Sequence, residues 1–516
     1  MVAVGASAGG LEALKSFFSR MPADSGICFT VITHTSPGRE TLLPELLGHV
    51  TDIPVKAVRD GDRIAPDTIL IPEDKFVEIS NGIIHRVSAE DATENVHHPI
   101  DHFLRSLAEN QREHAIGIIL SGTGNDGVLG IKAINANGGM VMVQTPETAQ
   151  HSGMPESARA TGLVDYVRPV EELPHTLLEY CRGPFLRATR AGKAITVPQD
   201  TIRAILVRLR SHTGQDFTGY KKNTISRRIQ RRMDIHQIRE PQDYLHYVRE
   251  NPHELDVLLQ ELLVSVTSFF RNPDAFQALA GQAVPHLLEQ RDNQETLRVW
   301  VPGCASGEEA YSVAIILDEQ LRKAGSVQEV QIFATDLDEQ AIETAREGVY
   351  PEGIADDVSP QRLDKYFSRE NGSFRVQKNI RDMIIFATHN VLSDPPFTRI
   401  DLIVCRNLLI YLDPDAQRTV FPRFHYALRP DGLLFLGSSE SATGAEDMFD
   451  TLDARHKVLR RKSSTQQIFP AFTARTSRKT GAEETRDDGP RLRTGKQLSR
   501  NIERLLLERF VPCSIV

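Results

Sequence analysis

The chain has 516 residues, 25% of them charged and 40% hydrophobic, and its formal net charge at pH 7 is -9. This length exceeds what one hydrophobic core serves, so we expect two to four domains. The negative charge excludes bulk attraction to nucleic acid. Five scattered cysteines without a C-x-x-C pair argue against a disulfide framework or a structural zinc site and predict a cytoplasmic protein. No apolar run reaches the roughly 18 residues of a membrane span, so the chain is not expected to insert into a bilayer.

The pattern of apolar residues changes along the chain and predicts its domains. Short, continuously apolar runs such as Ile27–Ile32 and Ile116–Leu120 alternate with helical stretches, which is typical of a parallel sheet covered on both faces. The predicted fold class is α/β: two doubly wound, Rossmann-like domains separated by a small all-α domain, with a mostly disordered tail. The predicted divisions are an α/β domain 1–185, a linker 186–200, an all-α domain 201–265, a second α/β domain 266–462, a disordered linker 463–497 and an incomplete domain 498–516.

A serine lies in a small-residue turn directly after the first strand. Gly5-Ala6-Ser7-Ala8-Gly9 has the G-x-S-x-G pattern, which exposes a hydroxyl and lets backbone N–H groups approach an oxyanion. His34 and Asp126 follow two other predicted strands. Because the carboxyl ends of strands in a doubly wound sheet meet at one crevice, we expect these three side chains to form a Ser-His-Asp triad. The order Ser, His, Asp excludes an α/β-hydrolase, where the acid precedes the histidine.

Three other interpretations of this region stay open at the sequence level. A small-residue turn after a strand is often only a packing device. Gly122-x-Gly124-x-x-Gly127 matches a dinucleotide fingerprint, but Asp126 within it would repel a pyrophosphate. His97, His98 and His102 are close in sequence and Pro99 is expected to start a helix capped by His98; we predict no metal there.

Together these segments resemble the catalytic domain of the chemotaxis protein-glutamate methylesterase family, CheB. The resemblance covers Met1–Arg182 and rests on the serine loop, on Thr33-His34, on the loop around Asp126 and on Ser152-Gly153-Met154-Pro155. It implies Ser7 as nucleophile, His34 as base and Asp126 as the acid that orients the base. It also implies hydrolysis of receptor glutamyl methyl esters, often with glutamine deamidation.

A second strand-to-glycine loop predicts a nucleotide-type cofactor site. Strand Leu297–Val301 leads into Gly303-x-x-x-Gly307, and the next strand ends at Asp336, whose carboxylate suits ribose hydroxyls. Glu308 in the loop disfavours a pyrophosphate but suits the cationic S-adenosylmethionine. The Asp394-Pro395-Pro396-Phe397 motif suggests an adenine-N6 DNA methyltransferase, but it precedes its strand instead of following it.

The second half of the chain resembles the chemotaxis receptor methyltransferase family, CheR. The resemblance covers Thr201–Leu459, with a specific signature at Cys405-Arg406-Asn407-Leu408-Leu409-Ile410-Tyr411. It implies S-adenosylmethionine as cofactor and S-adenosylhomocysteine as product, with Glu308 near the methionine part, Asp336 on the ribose and Asn390 near the adenine. Ser265 stands where relatives carry asparagine. The predicted cofactor residues are Thr267, Arg271, Gly303, Glu308, Asp336, Asn390, Val391, Arg406 and Asn407, and Arg271 and Tyr411 are predicted to contact the substrate.

A basic stretch of the all-α domain predicts a docking surface. Ile225, Ile229 and Met233 share one helix face, which is expected to leave the arginines outward. A solvated face and a surface for acidic helices are both compatible with this pattern. The CheR resemblance implies that it docks the cytoplasmic coiled coil of methyl-accepting receptors, whereas the missing aromatic residues disfavour nucleic acid. The predicted docking residues are Arg227, Arg228, Arg231 and Arg232.

The sequence therefore predicts a cytoplasmic, bifunctional enzyme of receptor adaptation that hydrolyses glutamyl methyl esters and also forms them. The alternatives are a signalling scaffold with one or both domains silent, and a methyltransferase for a non-receptor substrate. The last residues, 498–516, weakly resemble the entry to a PAS sensor domain.

Overall fold

The computed structural model describes residues 1–34, 42–73, 76–87, 98–183, 186, 197–264, 266–289, 295–370 and 372–463. The predictions for His97, for Ser265, for the disordered linker from 464 onwards and for the incomplete domain 498–516 lie outside these residues. The chain divides into two compact units, which we describe separately. Unit 1 comprises Met1–Thr218, Lys222–Val266 and Val349–Val376, and unit 2 comprises Gly219–Lys221, Thr267–Gly348 and Gln377–Val516.

Unit 1 contains a seven-stranded sheet in the order β3-β4-β2-β1-β7-β8-β9, in which every neighbouring pair is parallel. Its central strands are short apolar runs because both faces are covered. A hairpin, β5 and β6, is separate from the sheet. The strands are β1 Val2–Ala6, β2 Cys28–Thr33, β3 Val55–Val58, β4 Thr68–Pro72, β5 Val77–Ser80, β6 Ile83–Arg86, β7 Ile116–Ile119, β8 Met140–Gln144 and β9 Tyr166–Arg168.

Two separate apolar cores cover the two faces of this sheet. Val2 and Val4 pack with Phe17 on one face, and Ala3 packs with Phe103 and Leu104 on the other. This alternation follows from the period of two in a strand. The helices are α1 Gly10–Phe18, α2 Leu43–Gly48, α3 Pro99–Gln111, α4 Val128–Ala136, α5 Gly153–Ala160 and α6 Leu173–Cys181.

Four further helices of unit 1 form the all-α region: α7 Gln199–Thr213, α8 Lys222–Ile235, α9 Pro241–Glu250 and α10 Pro252–Leu262. Proline occupies the start of α9 and α10, where the missing N–H has no cost. Ile235 at the end of α8 joins the first core of the sheet. The all-α region is thus continuous with the α/β part of unit 1.

Unit 2 contains a second seven-stranded sheet, in the order β15-β11-β10-β16-β17-β19-β18. Its first five strands are parallel, and β19 and β18 add an antiparallel edge. The strands are β10 Leu297–Pro302, β11 Val330–Asp336, β15 Ile384–Thr388, β16 Ile400–Cys405, β17 Leu428–Leu436, β18 Phe449–Asp453 and β19 Val458–Arg461. The helices are α11 Pro273–Ala278, continued by a π-helical turn, α12 Val284–Glu289, α13 Glu308–Lys323, α14 Glu339–Glu347, α16 Lys378–Arg381 and α17 Pro414–Ala427.

The segment Val349–Val376 belongs to unit 1, although the residues on both sides of it in sequence belong to unit 2. It forms a three-stranded antiparallel sheet in the order β12-β14-β13. Its elements are β12 Val349–Pro351, a 3-10 helix Glu352–Asp356, α15 Pro360–Tyr366, β13 Phe367–Glu370 and β14 Ser373–Val376.

The predicted fold class is confirmed: two parallel α/β sheets with an all-α region between them in sequence. Within the described ranges, no helix is both long and apolar enough to cross a bilayer.

Candidate active sites at two sheet edges

The structure brings Ser7, His34 and Asp126 together at the carboxyl edge of the first sheet. They follow β1, β2 and β7, which are adjacent in the order β2-β1-β7. His34 Nδ1 lies 2.8 Å from Ser7 Oγ, and His34 Nε2 lies 2.9 Å from Asp126 Oδ2. The side chain of His34 is 32% exposed, whereas that of Asp126 is 2% exposed. Ser7 is half-buried and the imidazole is partly exposed, whereas the carboxylate is buried behind them. This is the arrangement of a nucleophile, a base and an orienting acid.

Asp126 is held by the first turn of α3. The N–H of Ile100 donates to Asp126 Oδ2 at 3.0 Å, and the N–H of Asp101 donates to Oδ1 at 2.8 Å. Both donors are among the N–H groups that a helix leaves unpaired at its start, where the helix dipole also favours a negative charge. The carboxylate is therefore fixed in position independently of His34.

Asp101 in turn holds the first turn of α4, a contact that sequence reasoning missed. Its carboxylate Oδ1 accepts the N–H of Gly130, in the first turn of α4, at 2.7 Å. Burial and the neighbouring Asp126 carboxylate raise the pKa of Asp101 well above its ordinary value. The available signal was an acidic residue two positions after a helix-starting proline, Pro99, which alone is a common helix N-terminus.

The histidine cluster contributes a helix start. Helix α3 begins at Pro99 with His98 as its N-cap residue, as predicted. Ligand atoms of His98, Asp101 and Asp126 lie within 4.8 Å of one another. Both oxygens of Asp126 also accept protein N–H groups.

The serine loop depends on small residues at close approaches. Gly9 has φ +69° and precedes α1. A Cβ at Gly122 would lie 3.0 Å from the Cβ of Ser7 and would overlap the sulfur of Met154. The N–H of Ser7 donates to the carbonyl of Ser121 at 3.0 Å. The loop before Asp126 therefore supports the serine loop directly, and glycine at 122 makes the contact possible.

At the edge of the second sheet, the loop after β10 folds against the end of β11. Gly303 and Gly307 have φ of +73° and +94° and Ala305 has φ +46°, all in the left-handed region. The N–H of Ala305 donates to Asp336 Oδ2 at 2.8 Å, and the N–H of Asp338 donates to Oδ1 at 3.0 Å. Burial raises the pKa of Asp336, against the effect of these bonds.

Glu308 and Asn390 flank this loop. Glu308 is 5% exposed, begins α13 and accepts the hydroxyl of Ser306 at 2.7 Å. Asn390 follows β15, the neighbour of β11, and its Oδ1 accepts the N–H of Leu392 at 2.9 Å. The N–H of the preceding His389 donates to the carbonyl of Asp336 at 2.9 Å. Three of the predicted cofactor residues thus lie on adjoining loops.

The remaining predicted residues of this site are half-buried: Thr267, Arg271, Val391, Asn407 and Tyr411. Sequence reasoning missed Tyr220, which is 7% exposed. Burial first, and then the charges of Asp336 and Tyr411, raise the pKa of the Tyr220 phenol, so this ring lies near both. It enters unit 2 with Gly219–Lys221.

Arg406, a further predicted cofactor residue, binds groups of the protein itself. Its side chain is 1% exposed and pairs with Glu309 at 3.0 Å. Its Nη2 donates to the carbonyl of Arg271 at 2.8 Å and to Asn272 Oδ1 at 3.0 Å. Burial raises the pKa of Glu309 to about 7 even with this partner. The structure therefore gives Arg406 a positioning role for the segment of Arg271.

Glu440 holds the signature loop after β16 and was missed by sequence reasoning. Its Oε1 accepts the N–H groups of Leu408 and Leu409 at 2.9 and 2.8 Å, and its Oε2 accepts that of Gly437 at 2.6 Å. The side chain is buried. A single carboxylate thus joins the ends of two neighbouring strands.

The DPPF motif has a structural explanation. Asp394 Oδ2 accepts the N–H of Asn390 at 2.8 Å. Phe397 stacks on Phe333 at 4.7 Å between ring centroids and contacts Trp300 edge-on. The motif supports the loop of Asn390 and the core beneath it.

The prediction that the arginines of α8 point outward is wrong for three of the four. Arg228, Arg231 and Arg232 are 7%, 0% and 6% exposed. Arg231 pairs with Asp165 at 2.6 Å and with Glu261, and it donates to the carbonyl of Gly139.

The other two buried arginines are equally engaged. Arg228 donates to the carbonyls of Asn135 and Ala136 at the end of α4, and Arg232 pairs with Glu254 at 2.8 Å. Arg227 is exposed. The sequence window lacks acids because the partners come from distant parts of the chain, and a buried arginine without such partners would be unstable.

Three family profiles match successive stretches of the chain. The profile of the CheB methylesterase family matches residues 2–177, that of the CheR all-alpha domain matches 200–263, and that of the CheR SAM-binding domain matches 265–458. The chemotaxis protein methyltransferase of Escherichia coli is 32% identical over 45% of this chain and 80% of its own length. The chain belongs to the CheR methyltransferase family. A CheB methylesterase domain precedes its CheR part.

Other relatives differ in extent. A 104.1 kDa protein from the hypE 3' region of Rhodobacter capsulatus is 37% identical over 85% of this chain, which spans only 48% of that relative. Chemotaxis protein methyltransferase 2 of Vibrio cholerae is 30% identical over 46% of this chain and 84% of its own length. The CheB methylesterase catalytic domain of Thermotoga maritima, a crystal structure, is 30% identical over 34% of this chain and 96% of its own, with a TM-score of 0.33.

The residues at the second sheet edge fit the cofactor of the CheR family, S-adenosylmethionine. The donor set contains two acidic side chains, Glu308 and Asp336, on adjoining loops. Carboxylates suit the cationic amino and sulfonium groups and the ribose hydroxyls of this molecule, as they suit ribose in other nucleotide sites. The guanidinium of Arg406 pairs with Glu309. It therefore does not neutralise the negative charge of the neighbouring Glu308.

Proposed function

We propose that the chain is a bifunctional enzyme of chemotaxis-type receptor adaptation. Its CheB part hydrolyses glutamyl methyl esters, and its CheR part methylates glutamates. The observation that carries the first activity is the continuous chain of contacts from Ser7 Oγ through His34 to the buried Asp126. The observation that supports the second is the set of acidic loops around Asp336, in a region that matches the SAM-binding domain profile.

In the hydrolysis, Ser7 Oγ attacks the ester carbonyl carbon while His34 Nδ1 takes the hydroxyl proton. The carboxylate of Asp126 accepts a hydrogen bond from the Nε2–H of His34 and stabilises the resulting imidazolium. His34 then gives the proton to the methoxide, which leaves as methanol, and Ser7 carries the glutamyl acyl group. A water attacks this acyl-enzyme with His34 again as base, which releases glutamate and restores Ser7. A glutamine side chain would follow the same steps and release ammonia.

In the methylation, we assign Glu308, Asp336 and Asn390 to cofactor binding. The chemistry that S-adenosylmethionine supplies when bound is an electrophilic methyl group on a sulfonium. A substrate glutamate has an ordinary pKa of about 4.3, so it is ionised at neutral pH and needs no general base. Arg271 orients its carboxylate, and Arg406 positions Arg271 through its backbone carbonyl. Tyr411 forms a wall of the site.

The proposed substrate is the cytoplasmic coiled-coil region of methyl-accepting chemotaxis receptors. The burial of Arg228, Arg231 and Arg232 removes them from such a docking surface. Arg227 and Lys222, both exposed, remain available for acidic helices. Receptor contact through α8 therefore rests on fewer cations than its sequence suggests.

One receptor fragment tests both activities. The full chain is incubated with a purified cytoplasmic receptor fragment and methyl-labelled S-adenosylmethionine, and methyl transfer and methanol release are measured. We expect Ser7→Ala to abolish methanol release and keep transfer, and Asp336→Ala to abolish transfer. Asp24→Asn, at an exposed position, is the surface control. Methanol release that survives Ser7→Ala would exclude the nucleophile, and label on nucleic acid or a metabolite alone would favour another substrate class.

A further inference from the structure

The segment Val349–Val376 packs against the helix that holds Asp126. Asp101 and Arg105 are one turn apart on α3. Arg105 Nη2 binds Asp357 Oδ1 at 2.8 Å, and a Cβ on Gly353 would lie 3.1 Å from Asp101 Oδ2. The two segment residues that make these contacts, Gly353 and Asp357, are also four positions apart. The face of α3 that bears Asp101 and Arg105 therefore lies along one side of the segment.

These contacts end close to the reacting groups. Asp101, against which Gly353 packs, donates its N–H to Asp126 Oδ1 at 2.8 Å, and Asp126 Oδ2 lies 2.9 Å from His34 Nε2. Gly353 also approaches Leu129 of α4, because a Cβ there would lie 2.8 Å from Leu129 Cδ1. The segment therefore touches both helices whose first turns meet at the acid of the triad.

An ion pair on the second turn of α3 resists movement of the helix along its axis. The N–H groups of Ile100 and Asp101 keep contact with Asp126 only while the first turn stays in place. A misplacement of about 1 Å in a catalytic group reduces rates by about 100-fold. The side chain of Asp357 is 14% exposed, so solvent screens this pair less than it screens surface pairs.

We propose that Arg105 and Asp357 are positioning residues for ester hydrolysis: the segment Val349–Val376, which lies within the range of the CheR profile, fixes α3 and thereby Asp126. This inference rests on the proposed hydrolysis at Ser7. It makes the CheB activity of this chain depend on residues that lie within the range matched by the CheR profile, 265–458.

The test compares Asp357→Asn with Glu370→Gln in the full chain. Glu370 pairs with Arg375 at 2.8 Å on the exposed sheet of the same segment and is the matched control. Amide hydrogen exchange of Ile100 and Asp101, and kcat and KM for a peptide glutamyl γ-methyl ester, are measured. We expect Asp357→Asn to speed both exchanges by about 10-fold and to lower kcat by about 10-fold with KM unchanged.

A second pair of variants separates positioning from general loss of structure. Arg105→Lys, which keeps the charge, should retain most of kcat and of the exchange protection that Arg105→Met loses. Exchange in Asp357→Asn equal to that in Glu370→Gln would overturn the proposal, as would equal losses in kcat and in the methyl transfer rate. If the wild-type chain hydrolyses no ester, the proposed function fails, while amide exchange still decides whether the pair holds the first turn of α3.

Discussion

Asp101 and Asp126 are linked so that each supports the start of the other's helix. The N–H of Asp101 binds Asp126 Oδ1 at 2.8 Å, and the Asp101 carboxylate binds the N–H of Gly130 at 2.7 Å. Gly130 lies in α4, the helix that follows the Asp126 loop. The acid that faces His34 is thus part of a closed arrangement of two helix starts.

Asp126→Asn should leave the fold in place and remove the orienting charge. The carboxylate accepts hydrogen bonds from the Nε2–H of His34 and from two N–H groups of α3. The side chain of asparagine has only one acceptor oxygen, so it cannot accept all three. We expect kcat for ester hydrolysis to fall by about four orders of magnitude with little change in KM. The exposed Asp24→Asn is the control. Retention of more than about a tenth of wild-type kcat would show that another group orients His34.

Gly122→Ala should disturb Ser7 through direct contact. Its Cβ would lie 3.0 Å from that of Ser7 and overlap the sulfur of Met154. We expect a loss of stability of about 1 to 3 kcal/mol and a fall in kcat of about 100-fold, measured by denaturant unfolding and ester hydrolysis. Gly48→Ala is matched, because a Cβ there meets nothing within 4 Å. Wild-type kcat in Gly122→Ala would contradict the close approach of the two loops.

Arg231→Met and Arg227→Met, on the same helix, separate structural arginines from surface ones. Removing Arg231 leaves the buried Asp165 without the arginine that pairs with it and takes away one of the arginines that pair with Glu261. We expect the free energy of unfolding to fall by about 3 to 5 kcal/mol. Arg227 is exposed, and its replacement should change stability by less than about 0.5 kcal/mol. Arg227→Met should weaken receptor binding, whereas Arg231→Met should not act on binding directly. Equal stability of the two variants would exclude a structural role for Arg231.

Asp356 predicts a dependence of stability on pH. Burial and the charges of Asp357 and Asp126 raise the pKa of Asp356 to about 7, although Arg105 opposes this. Asp101 also faces this carboxylate. Between the unfolded value of about 3.9 and pH 7 the folded chain binds the extra proton, so stability falls as the pH rises through this range.

Asp356→Asn should remove the fall in stability that the ionisation of Asp356 causes as the pH rises. We expect no difference from wild type near pH 4 and a variant that is more stable by about 1 to 2 kcal/mol at pH 8, less than the full linkage value because the side chain is partly exposed. Thermal unfolding at a series of pH values measures it. A constant difference at all pH values would mean that Asp356 titrates normally.

Glu440→Gln should weaken methyl transfer although Glu440 is not itself a proposed cofactor residue, because it holds the signature loop. An amide nitrogen in place of one oxygen would face an N–H group of Leu408, Leu409 or Gly437. The cost of an unsatisfied buried donor is about 1 to 3 kcal/mol. We expect a KM for S-adenosylmethionine raised by about 10-fold, with ester hydrolysis unchanged. Glu446→Gln, on the exposed part of the same loop, should behave as wild type.

The apolar runs predicted the strands well, and hence where Ser7, His34 and Asp126 would meet. Buried strands carry a strong local signal, and parallel strands end at one edge. The burial of Arg231 could not be predicted because none of its partners is local: Glu261 is 30 positions away, and Asp165 and the carbonyl of Gly139 are 66 and 92 positions away. Asp101 and Glu440 were missed for a related reason, since both bind backbone N–H groups, which every residue type provides.

The burial of Arg231 against Asp165 also bears on how this fusion can change over time. A CheB part produced without the CheR part would lack the arginine that pairs with the buried carboxylate of Asp165, and its core around Phe17 would lack Ile235. Separating the two halves by a break in the linker would therefore require new substitutions at Asp165 and around Ile235 before the first half could fold well. Once such contacts are established, any single change that separates the two parts would destabilise the first part. Selection would therefore retain the fused chain.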